Sequence, residues 1–265
     1  MMKISNKVSR LFGKFANFRF PSGIQRFINW VYVRIFDINM SEFGDISSYP
    51  SLNALFTRSL LQHRDFDASI DALISPCDAL ITECGKIQNN TALQIKGMSY
   101  QVNELLGEKD GLDQEYSYIN FYLSPKDYHR YHAPCEMEVF EVRYFAGELL
   151  PVNKPSLKKN TDLFIKNERL VVVCKDVKGK IMYFVAVGAL NVGQMVLHFE
   201  NRVQTNTIAN QNAIYTYEVP KIIKKGDELG MFKMGSTVVI FIKDVKNLPL
   251  IDNKVKFGDV IGQFV

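Results

Sequence analysis

The chain has 265 residues, of which 47% are hydrophobic and 23% are charged. This composition suits one large globular domain with an accessory segment, and it excludes a disordered chain, a collagen-like repeat and a small disulfide scaffold. The four cysteines have no CxxC pair or zinc-type spacing, which indicates reduced thiols in a cytosolic compartment. The net charge of +4 is unevenly distributed, because residues 1–36 contain seven Lys or Arg and no Asp or Glu.

Two basic helices are predicted at the N-terminus, separated by Pro21-Ser22-Gly23. The second has apolar residues at three- and four-residue spacing, on one face: Ile24, Phe27, Ile28, Val31 and Ile35. Such a helix suits the surface of an anionic bilayer, although the same face could pack on the protein's own domain. No apolar run reaches the roughly 20 residues that span a membrane. No nucleic-acid-binding motif accompanies the basic charge, so no nucleic-acid partner is predicted.

Short helices and turns are predicted up to Arg64, including a helix capped by Ser51. From Ala72 onward, short apolar runs alternate with turn residues, which is typical of β-structure. The predicted strands are Ala79–Cys84, Tyr118–Leu123, Val139–Phe145, Arg169–Lys175, Ile181–Val187, Gln194–Phe199, Ile214–Val219 and Thr237–Ile242. We expect an α+β protein with basic amphipathic N-terminal helices in a segment of residues 1–65. A β-rich, sandwich- or barrel-like catalytic domain of residues 66–265 follows.

Gly235-Ser236-Thr237 directly precedes the last predicted strand. Gly235 lacks a Cβ, so the chain can turn sharply and another group can approach its carbonyl. The Ser236 hydroxyl is suited to attack that carbonyl and form an ester by an N-to-O acyl shift, which is a self-cleavage chemistry. On these residues alone, an ordinary turn into a strand remains the simpler interpretation.

Two of the four histidines, His129 and His132, lie in a loop directly after a predicted strand, with Pro125 and Pro134 on either side. Loops at strand ends commonly present catalytic groups. The spacing of the pair could also suit a metal ion, but a metal site normally needs a third protein ligand, and none is near in sequence. No metal is therefore predicted.

Asp78 ends the turn Ser75-Pro76-Cys77-Asp78, just before a predicted strand. Alone, it is most simply a turn residue or a cap. Asp, His and Ser in this chain order, each on a turn beside a strand, could nevertheless assemble into an acid-oriented base that acts on a hydroxyl. The G-x-S-x-G motif of the usual hydrolases is absent around Ser236.

Two longer motifs carry a specific resemblance: FYLSPKDYHRYHAPC at residues 121–135 and GMFKMGSTV at residues 230–238. Together they resemble the phosphatidylserine decarboxylase family of the bacterial, membrane-associated, pyruvoyl-dependent type. Further matches follow in order and cover nearly the whole chain: SPCD at 75–78, QIKG at 94–97, LFIKNER at 163–169 and VGALNVG at 187–193.

The resemblance implies a proenzyme that cleaves itself between Gly235 and Ser236, giving a β chain of residues 1–235 and an α chain of residues 236–265. In the family's scheme His132 takes the Ser236 hydroxyl proton, Asp78 orients the imidazole, and the hydroxyl attacks the Gly235 carbonyl. β-Elimination of the ester leaves dehydroalanine, whose hydrolysis releases ammonia and yields an N-terminal pyruvoyl group. No metal is needed in these steps.

By the same resemblance, the pyruvoyl ketone forms a Schiff base with the amine of phosphatidylserine and acts as the electron sink for loss of CO2, which gives phosphatidylethanolamine. His129 would contact the substrate carboxylate or handle the proton. The expected partners are phosphatidylserine in an anionic membrane and the chain's own β and α fragments as a heterodimer, with further dimerisation left open. The expected location is peripheral, on the cytoplasmic face of the cell membrane.

The chain departs from the family at Ala79, where glycine usually follows the acid, and this puts the position of Asp78 in doubt. Neither His63 nor His198 matches a role in the family scheme.

Two rival interpretations remain. In a biotinyl-type carrier Lys233 would be modified and the chain would stay uncleaved. In a Ser-His-Asp lipid hydrolase Ser236 would stay internal and form an acyl-enzyme.

Overall fold

The computed structural model describes residues 4–190, 194–207, 211–233 and 236–265, without the side chains of Ile4 and Ser236. The helices in these ranges are α1 (Ile4–Asn17), α2 (Ser22–Phe36), α3 (Leu52–Phe56), α4 (Val102–Leu106), α5 (Lys154–Lys159) and α6 (Leu163–Lys166), with a 3₁₀ turn at Ile46–Ser48.

The strands fall into a first half and a second half of the chain. The first half contains β1 (Ala72–Ile74), β2 (Ala79–Lys86), β3 (Thr91–Ile95), β4 (Met98–Gln101), β5 (Ser117–Leu123), β6 (Arg130–His132), β7 (Met137–Phe145) and β8 (Arg169–Lys175). The second half contains β9 (Ile181–Val187), β10 (Gln194–Leu197), β11 (Ala213–Ile223), β12 (Glu228–Lys233), β13 (Ser236–Ile242), β14 (Val245–Lys246), β15 (Lys254–Val255) and β16 (Val260–Phe264).

The main sheet has eight strands in the order β11-β7-β8-β9-β13-β5-β2-β15. Two three-stranded sheets, β1-β16-β14 and β10-β12-β6, and the hairpin β3-β4 complete the β-structure of the described residues. All strand pairs in these sheets are antiparallel. The described strands form no closed barrel, so the expectation of a β-rich core is confirmed and its barrel-like variant is wrong.

All eight predicted strands are present, as β2, β5, β7, β8, β9, β10, β11 and β13. Strands β8 and β9 are buried along nearly their whole length, which explains why their sequences are almost continuously apolar. The cap at Ser51 is also confirmed, because its hydroxyl accepts a hydrogen bond from the Ala54 N–H at 3.1 Å.

Both N-terminal helices are present, and α2 begins directly after Pro21. Their burial is unusual, because α2 buries Gln25 and Asn29. Gln25 donates to the Asn29 side chain, which in turn donates to the carbonyls of Ile46 and Tyr49. These bonds satisfy the buried amides, so the polar side of the helix can face the protein.

The apolar face predicted for α2 points mainly outward. Ile24, Phe27 and Ile35 are 53%, 63% and 69% exposed, and Leu11 of α1 is 71% exposed. The alternative that this face packs on the protein's own domain is therefore wrong for these three α2 residues. Within the described ranges, no helix is long and apolar enough to cross a membrane.

The boundary at residue 65 stays a prediction. The helices α1 to α3 end at Phe56 and the first strand begins at Ala72. A small apolar cluster joins the two parts, because Phe43 packs with Ile74, Tyr128 and Phe257.

Candidate active site

Ser236 lies where the chain passes from one sheet to another. Strand β12 ends at Lys233 in a three-stranded sheet, and β13 begins at Ser236 in the main sheet. Gly235 and the side chain of Ser236 lie outside the described parts of the structure. The backbone of Ser236 pairs with Leu123, the last residue of β5. The start of β13 is therefore next to the histidine-bearing loop that leaves β5.

Asp78 lies at the same end of the main sheet. Tyr122 of β5 pairs with Thr237 on one side and with Leu80 of β2 on the other. Asp78 is the residue directly before β2, and Ser236 is the first residue of β13. Two strand spacings separate β2 from β13, or roughly 10 Å. The pairing thus brings Asp78, Ser236 and the loop after β5 to one edge.

His129 is fully buried in that loop. Its Nδ1 lies 2.8 Å from the Asp127 carbonyl oxygen, which can only accept, so Nδ1 carries the hydrogen. The Nε2 atom therefore carries a lone pair, and it has no hydrogen-bond partner among the described atoms. Burial, assisted by the nearby charge of Arg58, lowers the pKa of His129 to about 3. His129 is thus a neutral base with an open acceptor.

The surroundings of His129 connect it to the segment before Ser236. Its carbonyl accepts a hydrogen bond from the Phe232 N–H at 2.9 Å. Its ring packs on that of Phe56, with 3.8 Å between the centroids. Arg58 donates to the Asp127 carbonyl that also receives His129 Nδ1–H, so this oxygen fixes both side chains.

His132 is held differently, on the short strand β6 opposite Glu228. Its Nδ1 donates to the Gly226 carbonyl at 2.9 Å, and its Nε2 accepts from the Tyr128 hydroxyl at 3.1 Å. Its ring stacks on Phe257, with 3.7 Å between the centroids and 13° between the planes. Burial lowers the pKa of His132 to about 4. Both nitrogens of this neutral ring are therefore in use.

Asp78 does not contact His132 in the way the sequence led us to expect. Its carboxylate accepts two bonds from the Arg64 guanidinium, at 2.5 and 3.0 Å, and one from the Phe257 N–H at 2.8 Å. The guanidinium of Arg64 also binds Glu42. It donates a pair of charge-assisted hydrogen bonds to one carboxylate, which an imidazole cannot do. Phe257 thus lies between the two residues, because its N–H bonds Asp78 and its ring stacks on the His132 imidazole.

An apolar cavity of about 500 Å³ lies between the N-terminal helices and this edge of the sheet. It is lined by Leu123, which pairs with Ser236, by Phe56, which packs on His129, and by Phe12 and Tyr32 of the helices. A second cavity of about 600 Å³ is lined by Asp78 and Asp127 and by three lysines, and Tyr122 borders both. An apolar chain and a charged group could thus approach the same edge.

Sequence reasoning missed several of these residues. Asp127 and Tyr128 lie inside the histidine motif and could have been found there. Burial raises the pKa of Asp127, whose carboxylate accepts from the Ser124 N–H and hydroxyl. Arg58 and Arg64 lie in the segment predicted as scaffolding, and no local spacing indicates their roles.

The remaining residues singled out from the sequence lie apart from this constellation or at its margin. The ring of His63 is 6.3 Å from that of His132, edge to face. His198 contacts Glu228 at 2.6 Å, and Lys233 donates to Gln194 at 2.8 Å. Within the described ranges, no three His, Cys, Asp or Glu residues are arranged to hold a metal ion.

Comparison with known proteins gives consistent matches along the chain. The family model described as phosphatidylserine decarboxylase matches residues 52–263. A phosphatidylserine decarboxylase proenzyme of Helicobacter pylori is 56% identical over 264 residues, covering 100% of this chain and 99% of the relative. That of Campylobacter jejuni is 45% identical, covering 98% and 100%. That of Vibrio vulnificus is 35% identical, covering 89% and 86%.

Proposed function

Because the chain belongs to the phosphatidylserine decarboxylase family, we propose that it converts phosphatidylserine to phosphatidylethanolamine and CO2. We further propose that it is a proenzyme that cleaves itself between Gly235 and Ser236. One observation carries the assignment: the strand that begins at Ser236 starts at the sheet edge where Asp78 and His129 also lie, beside an apolar cavity.

The residues at this edge fit a pyruvoyl group made from Ser236. His129 supplies a buried nitrogen without a partner among the described atoms, and the cavity beside the edge is lined mainly by apolar side chains. When formed, the group supplies a ketone that accepts the electrons of the bond to the departing carboxylate. No metal is needed for this chemistry, and the donors at this edge do not form a metal site among the described residues.

We assign His132 to self-cleavage. It has both nitrogens bonded inside the protein, and it lines neither of the two cavities at the sheet edge. Its Nε2 shares a hydrogen with the Tyr128 hydroxyl, so a proton from Ser236 would reach it through Tyr128 or after Tyr128 moves. Asp78 positions His132 by holding Phe257 beneath the ring.

We assign His129 to the decarboxylation step. Its ring packs on Phe56, a wall of the apolar cavity through which a lipid would enter. The open Nε2 can accept a proton from a substrate amine or return one after CO2 has left. The low pKa of His129 keeps it neutral before substrate arrives, so it does not compete with the substrate as a cation.

The fragments are expected to remain together as a heterodimer after cleavage. Strand β13, which would begin the α chain, lies inside the main sheet between β5 and β9. Its backbone pairs with both neighbours over most of its length, and Val238 to Ile242 are fully buried. Cutting before Ser236 leaves these contacts unchanged.

We also propose a peripheral attachment to the cytoplasmic face of an anionic membrane. The outward apolar residues of α1 and α2 and the absence of acids from residues 1–36 support it. Aromatic and aliphatic side chains at this density suit the boundary between headgroups and acyl chains, while nearby Lys and Arg are attracted to anionic lipids.

A direct assay tests the proposed function. The purified chain is incubated with vesicles that contain phosphatidylserine, and CO2, phosphatidylethanolamine and free fatty acid are measured. We expect CO2 and phosphatidylethanolamine in equal amounts, no fatty acid, and no product from Ser236→Ala. Release of fatty acid by an uncleaved chain would instead support the hydrolase, and biotin on an uncleaved Lys233 would support the carrier.

A further inference from the structure

A third cavity, which Lys233 helps to line, differs from the apolar one in its charge. It has a volume of about 520 Å³ and lies between α1 and the end of the β10-β12 pair where Gln194 is opposite Lys233. Its polar lining comprises Arg10, Lys14, Asn17, Gln194, Asn206 and Lys233. Three of these side chains are cations, and no Asp or Glu is among the described residues that line it. The undescribed residues 191–193, 208–210 and 234–235 contain no acid either.

None of the three cations has an anionic partner among the residues that the structure describes. Arg10 Nε donates to the Asn206 side chain at 3.2 Å, and Lys233 Nζ donates to that of Gln194 at 2.8 Å. Both acceptors are neutral amides, and no ion pair between described residues involves Arg10, Lys14 or Lys233. Burial without a counter-charge lowers the pKa of Lys233. An anion would therefore be stabilised in this cavity.

The cavity is close to the reaction centre along the chain. Lys233 is three residues before Ser236, so their Cα atoms are at most about 11 Å apart. Helix α1 borders both cavities, because Phe12 lines the apolar cavity while Arg10 and Lys14 line the basic one. One molecule with an apolar part and an anionic group could use both.

The rim of the basic cavity favours a lipid over a free anion. Phe18, which directly follows α1, belongs to the lining and is 58% exposed, and Leu11 and Phe15 of α1 are also exposed. Arginine and lysine are the usual ligands of phosphate oxygens. Apolar side chains at the entrance would contact the acyl chains of a lipid and offer nothing to inorganic phosphate.

We propose that this cavity binds the phosphodiester group of a glycerophospholipid, with Arg10, Lys14 and Lys233 as its cationic ligands. The proposal rests on the proposed function in taking phosphatidylserine as the lipid that is turned over. In that substrate an ester oxygen and two carbons separate the phosphorus from the amine. Holding the phosphate would therefore fix the amine within reach of the residue formed from Ser236.

The kinetic test uses the Arg10→Gln/Lys14→Gln double variant, because both residues are far in sequence from the cleaved bond. Lys109→Gln is the matched control, since it removes an exposed charge from a distant loop. Each protein is first shown by mass to be cleaved, and then assayed on phosphatidylserine in uncharged detergent micelles. We expect the double variant to raise KM about tenfold or more while kcat stays within about threefold, the pattern of lost ground-state binding. An unchanged KM would overturn the proposal.

The binding test is independent of turnover. In the Ser236→Ala background, dihexanoylphosphatidylglycerol, which has no amine, and inorganic phosphate are titrated separately by calorimetry. We expect the lipid to bind more tightly than phosphate and the double variant to weaken the lipid about tenfold. Equal binding of phosphate and lipid would indicate a free-anion site and overturn the lipid assignment. If the wild-type chain does not decarboxylate phosphatidylserine, the proposed function fails while this titration still decides the cavity.

Discussion

His129 and His132 are three residues apart and are both buried and neutral, yet the structure uses them in opposite ways. His129 lies on a loop, with no hydrogen-bond partner for Nε2 among the described atoms and with its ring against a wall of the apolar cavity. His132 lies on a strand with both nitrogens bonded and its ring stacked on Phe257. This difference supports the proposal that His129 acts on a molecule that enters the cavity and His132 on a reaction within the chain.

This division follows from the backbone around each histidine. His129 is held by a carbonyl of its own loop, which leaves the far side of the ring toward the cavity wall. His132 is held from three directions, by Gly226, Tyr128 and Phe257. A group held so firmly is suited to act on a neighbour in the same chain, and we propose that this neighbour is Ser236 before cleavage.

The largest expected effect is that of His132→Gln on self-cleavage. Removing the proposed base should slow cleavage by about 10³-fold or more, since a positioned general base and its support are both lost. Intact mass over time measures the fraction cleaved. His198→Gln, which changes a histidine away from the sheet edge, should cleave like the wild type. Normal cleavage of His132→Gln would contradict the assignment.

His129→Gln should have the next largest effect, on turnover alone. We expect normal cleavage and a loss of about 10²- to 10³-fold in kcat for phosphatidylserine, the range typical of general acid-base catalysis. Mass spectrometry and the CO2 assay on the same sample separate the two steps. A variant that fails to cleave would show that the two histidines do not divide the work as proposed.

Asp78→Asn and Arg64→Gln sharpen the comparison further. If Asp78 acts on His132 through Phe257 and is itself held by Arg64, both variants should slow cleavage, each by about 10- to 100-fold, because a partly buried ion pair is broken and the Phe257 backbone is released. Glu42→Gln, which leaves the Asp78–Arg64 contact intact, is the control. A loss with Asp78→Asn but none with Arg64→Gln would indicate that Asp78 reaches His132 directly.

The smallest effect concerns stability against pH. His129 has a folded pKa of about 3, well below its usual value near 6.5, so the unfolded chain binds the proton first as pH falls. The contribution of neutral His129 to the free energy of unfolding is therefore complete above about pH 6.5. As the pH falls toward the folded pKa, the free energy of unfolding decreases by up to about 1.4 kcal/mol per pH unit. Urea unfolding of uncleaved Ser236→Ala with and without His129→Gln measures the difference. Parallel pH profiles would contradict the assigned burial effect.

The sequence predicted the elements of this fold better than their contacts. Apolar runs were sufficient to find β5 and β13, and the Pro21 break was sufficient to separate α1 from α2. Strand β12 was missed because it contains Gly230, where a Cβ would lie 1.8 Å from the Val196 carbonyl oxygen. That glycine is required by a close approach between strands, which only the three-dimensional arrangement reveals.

The candidate site was predictable as a set of residues and not as a network. The motifs identify Asp78, His129, His132 and Ser236, and strand pairing brings the backbones of Asp78 and Ser236 to one sheet edge. The contact of Asp78 with Arg64 could not be foreseen, because no fixed spacing relates a turn to an irregular segment. The outward apolar face of α2 was one of two alternatives for this helix, since periodicity indicates a helix without telling which face the protein covers.

The central claim is that Ser236 becomes the catalytic group, and the intact mass of the purified, denatured chain tests it most directly. We predict two fragments, residues 1–235 and 236–265, with the smaller lighter by one ammonia than a peptide that begins with serine. Ser236→Ala should give one uncut chain. A wild-type chain that stays uncut like Ser236→Ala, even after incubation with anionic vesicles, would contradict the account.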